Sequence, residues 1–162
     1  MGANTKIGDV FSVKINDDSK KYFQYVVSDL TQLNSDVIRA FKQVYPLNAN
    51  PNLPEIVNGE VEFYAHCITK LGLKMKVWEK VGNIVDVGKI NHILFRDSGD
   101  YGNPQVKISQ DWWVWKINEE QRRVGKLEGE NRKSYIGIVI NPLGIIDLLN
   151  GGKYPINYPE FE

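Results

Sequence analysis

Between Gly8 and Ile15 the chain alternates without a break. Phe11, Val13 and Ile15 fall on one side, Ser12 and Lys14 on the other. A period of two cannot lie along one face of a helix, so this segment is a half-buried strand. The cluster Asn16-Asp17-Asp18-Ser19 follows, and such short polar side chains bond their own backbone in turns. Lys21–Ser28 then reads as a second strand, with Phe23, Tyr25 and Val27 on one side and Tyr22, Gln24 and Val26 on the other. The two make a hairpin. Its second strand is apolar on both sides, so it is expected to be central or covered by another element. A chain that opens this way leans to a β fold, and the rest of its composition agrees. It has 18 aromatic residues (four Trp, eight Tyr, six Phe), which are strand formers more than helix formers.

The later segments continue the pattern. Ser35–Tyr45 fits a helical stripe (Val37, Ala40, Phe41, Val44) and also a strand. The strand is favoured because the stretch is short and rich in β-branched and aromatic residues. Pro46 ends it, and Asn48–Asn58, with Pro51 and Pro54, reads as a long loop and a candidate functional edge. Val61–Ile68, Leu73–Val81, Asn91–Arg96, Val106–Ile117 and Ser134–Ile140 read as further strands. Asp97–Pro104 is the strongest loop signal. One helix is expected near 142–150: Asn141 can cap it, Pro142 suits its first turn, and Gly151-Gly152 supplies a left-handed exit. Its apolar stripe is Leu143, Ile146 and Leu149, with Ile145 beside them. The last ten residues are rich in Pro and Tyr and read as extended. The expected fold is therefore mainly β with a minor helical part: a single domain over 1–162, built as a strongly bent antiparallel sheet or a partly open barrel, with one C-terminal helix. A chain of 162 residues can bury roughly 68–70% of its unfolded surface, enough for a core without staples.

Charge narrows the function. Twenty basic side chains face twenty acidic ones, and the balance is also local: +1 over residues 1–50, −1 over 51–100 and 0 over 101–162. Nucleic-acid binders need a basic excess to neutralise phosphates, so no nucleic-acid partner is expected. No run of about 18 apolar residues spans a membrane, and Met1–Val13 has no apolar stretch of the secretory type. The single cysteine, Cys67, excludes an intrachain disulfide and suits a reducing compartment. A cytoplasmic protein is expected.

No catalytic signature stands out, and the chain is expected to be no enzyme. Zinc needs three or four converging ligands, and His66, His92 and Cys67 are the only nitrogen and sulfur candidates. His66 and Cys67 are neighbours and point to opposite faces of a strand. No metal and no cofactor is expected. A Cys67–His92 pair has no supporting motif, and burial is the commoner fate of cysteine. Glu60, Glu62 and His66 share one face of a regular strand, which is the best enzyme argument available; a solvated outer face, alternating with Val61 and Phe63, is the commoner reason for such a pair of glutamates. In Asp111-Trp112-Trp113-Val114-Trp115-Lys116, Trp113 and Trp115 share one face, where they would close one end of the core. Trp112 shares the other with Val114 and, with Asp100 and Tyr101 of the preceding loop, is the candidate binding surface.

Lys6-Ile7-Gly8-Asp9-Val10-Phe11, a short acidic turn and Tyr22-Phe23-Gln24-Tyr25 resemble the opening of immunity protein 26, a bacterial family attached to polymorphic toxin systems. Asp36-Val37-Ile38-Arg39-Ala40-Phe41 is similar to that family's third segment. The resemblance covers about the first 45 residues. It implies a mostly β fold and a partner, a cognate protein toxin, rather than a substrate; it brings no catalytic residues. The candidate binding residues are thus Trp112, Tyr101, Asp100, Arg39, Glu60, Glu62 and His66. The alternative function is a small-ligand or carbohydrate-binding β-domain that uses Trp112 and Tyr101.

Overall fold

A computed structural model describes residues 4–152 and 158–162. The first hairpin forms as the alternation requires: β1 (Asp9–Lys14) pairs antiparallel with β2 (Ser19–Asp29). Asn16 makes the turn, its side-chain oxygen accepting from the backbone N–H groups of Asp18 and Ser19 and from the Ser19 hydroxyl. β3 (Ser35–Phe41) is a strand, as favoured, and a two-residue β4 (Tyr45–Pro46) adds to the start of β2. β5 (Val61–Cys67) lies on the far side of β3, and β6 (Glu79–Asn83) beside β1. The order is β5-β3-β2-β1-β6, with β2 inside the sheet. A second sheet is made of β7 (Leu94–Ser98), β8 (Trp112–Lys116), β9 (Arg122–Gly125) and the short β10 (Tyr135–Ile136), in the order β10-β7-β8-β9. Only β10 runs parallel to its neighbour.

The mainly β class is as expected, and the sheets do not close into a barrel. Both faces of the larger sheet are covered, which is why β2 is apolar on both sides. On one face Phe11, Phe23, Ile38 and Ala65 pack with Trp78, Ile140, Ile145 and Leu149. On the other, Val26, Val37 and Tyr64 meet Phe95 and Trp115 of the second sheet and Ile93 just before it. Beside them Val10, Tyr22 and Phe41 meet Ile56 and Val57.

Among the described residues, three α-helices serve these faces: α1 (Leu53–Val57), α2 (Thr69–Lys74) and α3 (Pro142–Leu149). α3 is the expected C-terminal helix. The Asn141 side chain accepts from the Gly144 N–H at 2.8 Å, and Gly151 takes the left-handed exit at φ 79°. Its buried side is Ile145 and Leu149, and Leu143 is 56% exposed. The expected stripe was thus set one position off at its start.

Four further expectations are corrected. The Asn48–Asn58 loop contains α1, capped by the Asn52 side chain on the Glu55 N–H; Ile56 and Val57 supply enough burial to hold a single turn. Leu73–Val81 is not one strand. It starts in α2, turns at Lys76 in the left-handed region (φ 58°), and joins the sheet only at Glu79. The Trp78 indole drives this. It folds back over Gly72 and donates to the Thr69 carbonyl at 2.9 Å. Ser134–Ile140 pairs as a strand only at Tyr135 and Ile136, then leaves β7 so that Val139 and Ile140 bridge to His66. Val106–Ile117 pairs as a strand only from Trp112. Of the last ten residues, 153–157 lie outside the described residues; Glu160 bridges to Ile108.

Gly72 decides a sign. Alanine in a helix gains about 0.5–1 kcal/mol over glycine. A Cβ there would stand 1.9 Å from the Trp78 ring, and overpacking costs about 1–3 kcal/mol. Gly72→Ala is therefore expected to destabilise the protein by about 2 kcal/mol, read as a lower urea midpoint at unchanged slope.

Candidate functional site

Glu60, Glu62 and His66 do not share a face. β5 carries an irregularity where Ala40 faces Phe63 but Phe41 faces Val61, so Glu62 is the extra residue. Glu60 lies before the strand and pairs with Lys42 at 2.9 Å on the surface. Glu62 meets the Lys21 ammonium at 2.9 Å, and Lys21 also donates to the Leu149 carbonyl at 2.9 Å, at the C-terminal end of α3. That position favours a cation, because the last carbonyls of a helix carry partial negative charge.

His66 is fully buried on the opposite face, between the sheets. Its Nε2 lies 2.8 Å from the Asp29 side chain, and its ring is 4.2 Å from that of Phe95. Asp29 also accepts from Trp115 Nε1 at 3.0 Å and from the Asn118 backbone N–H at 3.0 Å. A carboxylate can only accept, so His66 carries its proton on Nε2 in the neutral form. Its Nδ1 is buried with no hydrogen-bond partner. Burial pushes the imidazole below its ordinary value of 6.5, against a smaller raising effect from Asp29.

Arg39, expected as a binding residue, is only 6% exposed. It donates from Nε to the Gln24 side chain at 2.9 Å and from Nη2 to the Asp86 carbonyl at 3.1 Å, and lies over the Phe41 ring. Gln24 donates in turn to the carbonyls of Ile84 and Asp86. The pair pins the segment after β6 to the sheet. Burial lowers the Arg39 pKa.

Trp112 is a correction of the same kind. It was expected on the surface and is 0% exposed. Tyr158 and Phe161, more than forty positions later, cover it at ring distances of 6.0 and 6.1 Å, and Leu127 packs beside them. Trp115 is buried as expected, whereas Trp113 is only half-buried. Asp100 works inside its loop: it accepts from the Ser109 hydroxyl at 2.7 Å, and Ser109 contacts Ser98 at 2.7 Å. Tyr101 is 38% exposed, edge-on to Tyr158. Cys67 is buried, which raises its thiol pKa, and His92 lies against Tyr64 on the other side of the sheet.

Two features escaped the sequence reading. One is Asp29, a lone acid in an apolar strand with no local sign of its three partners. The other is a groove where β1 meets β6, lined by Lys14, Lys20, Lys76 and Lys80. Half of it was legible, since a tight hairpin sets Lys14 opposite Lys20; Lys76 and Lys80 arrive from elsewhere.

Among the described residues, no group of three or more His, Cys, Asp or Glu could hold a metal ion, and no helix is long and apolar enough to cross a membrane. The molecule is a small, mainly β domain of two sheets with covered faces. Compared with known protein families, curated proteins and solved structures, the chain matches none.

The buried pair makes stability pH-dependent. A neutral histidine held below 6.5 in the folded state contributes fully above that pH. The contribution is lost as pH falls from 6.5 toward the folded value, because the unfolded chain takes up the proton first. The melting temperature is expected to drop on acidification below about pH 6.5, and more steeply than in His66→Gln. Asp29→Ala strands two buried donors, His66 Nε2 and Trp115 Nε1, together with the Asn118 N–H, and is expected to cost about 3 kcal/mol in chemical denaturation.

Proposed function

We propose that this chain is a binding protein of the bacterial cytoplasm, an immunity protein that neutralises a cognate toxin by direct contact. The observation that carries the reading is the commitment of the chemistry-bearing side chains. Glu60, Glu62, His66, Arg39 and Asp100 are each engaged with partners in the fold. The segments that resemble immunity protein 26 support it too, since they fall on β1, β2 and β3, three adjacent strands. The second reading, a small-ligand or carbohydrate-binding domain, keeps the exposed ring of Tyr101 and loses that of Trp112.

Co-expression with a toxin encoded beside this chain tests the proposal. Restored growth and co-purification of the two proteins are expected. The absence of both protection and co-purification would overturn it. Tryptophan fluorescence against a glycan panel is expected to stay unchanged; a shift abolished by Tyr101→Ala would favour the second reading.

A further inference from the structure

Charge in this protein is balanced along the chain but not in space. A groove of about 570 Å3 opens at the side of the larger sheet where β1 meets β6. Its charged lining is Lys14, Lys20, Lys76 and Lys80 against one acid, Glu79. Lys14 and Lys20 face each other across the hairpin. Lys80 comes from β6, and Lys76 from the left-handed turn after α2. The Lys20 ammonium is fixed by two neutral acceptors, the carbonyls of Leu47 at 3.0 Å and Ala49 at 2.6 Å. Its charge is thereby positioned without being cancelled. Lys80 is offset by buried Asp9 at 3.2 Å, while Lys14 reaches only the fully exposed Asp17, at 3.8 Å. Between the cations the lining is apolar: Leu47, Leu73, Val77 and Trp78.

We propose that this groove docks an extended acidic segment of a partner protein. Its carboxylates would meet Lys14, Lys20 and Lys76, and its apolar side chains would lie between them. Clustered like charge is unfavourable for the free protein and is relieved by a complementary partner, which it also steers. The mixed lining selects the occupant. A phosphate or polyphosphate would use the lysines and leave the apolar floor uncovered. A nucleic-acid strand needs a longer basic track, and past Lys14 the hairpin turn carries exposed Asp17 and Asp18. The inference deepens the binding reading above and rests on it for the partner being a protein.

Fluorescence anisotropy on the full chain tests it, with a short fluorescein-labelled peptide alternating Glu with Leu as the probe. Binding at low salt is expected, weakening as salt rises, with no binding of the matching Lys–Leu peptide. The Lys14→Glu/Lys76→Glu double variant is expected to bind at least about tenfold more weakly while melting as the parent does. Should that variant fold poorly, Lys14→Gln/Lys76→Gln is expected to show the same loss in smaller measure. Absence of peptide binding, or equal binding by a folded variant, overturns the proposal. So does displacement by tripolyphosphate at lower concentration than by unlabelled peptide, which would make this a phosphate site. Peptide binding without protection in cells leaves the groove standing and overturns only the neutralising reading. Protection without peptide binding does the reverse.

Discussion

The joint between the two sheets depends on one side chain. Asp29, at the end of β2, receives His66 from β5, the Trp115 indole from β8 and the Asn118 backbone just beyond it. The side chains of Asp29, His66 and Trp115 are buried. Apolar contact alone would let two sheets slide, because the hydrophobic effect has no direction. Three hydrogen bonds on one carboxyl group fix their relative position, since any slide leaves buried donors unpaired. The small Ser35 opposite Asp29 leaves the diagonal open for His66 to reach across β3. The histidine that looked most like a catalytic base is thus part of the fastening.

The same economy of partners governs the rest of the polar interior. Arg39 and Gln24 hold the segment after β6, and Lys21 joins Glu62 to the end of α3. Ser98, Ser109 and Asp100 hold the loop before β8. Each of these groups is polar because it ties a distant segment to the sheet. What remains free for a partner lies at the surface and includes the lysine groove where β1 meets β6.

The sequence made the local elements legible. The alternation of β1 and the two-sided apolarity of β2 announced a covered sheet. Asn141, Pro142 and Gly151 bounded the last helix. Where the reading failed, side-chain packing or a strand irregularity had overruled the residue pattern. The strand pattern at Leu73–Val81 yielded to the Trp78 ring on Gly72. The face shared by Glu60, Glu62 and His66 was broken by an irregularity opposite Phe41. Trp112 was covered by Tyr158 and Phe161. A bulge moves side chains between faces without any mark in residue periodicity.

By itself the sequence determined a neutral, mainly β chain, the hairpin that starts it and the helix that nearly ends it. These follow from side-chain periodicity and caps, which act over a few residues. Only the tertiary structure decided which polar groups would be buried as fasteners and which would stay at the surface. It also decided that four lysines from separate segments would gather beside one groove in a chain of zero net charge. That gathering is set by strand order and by the path of the chain after α2, and charges counted along a sequence carry no record of either.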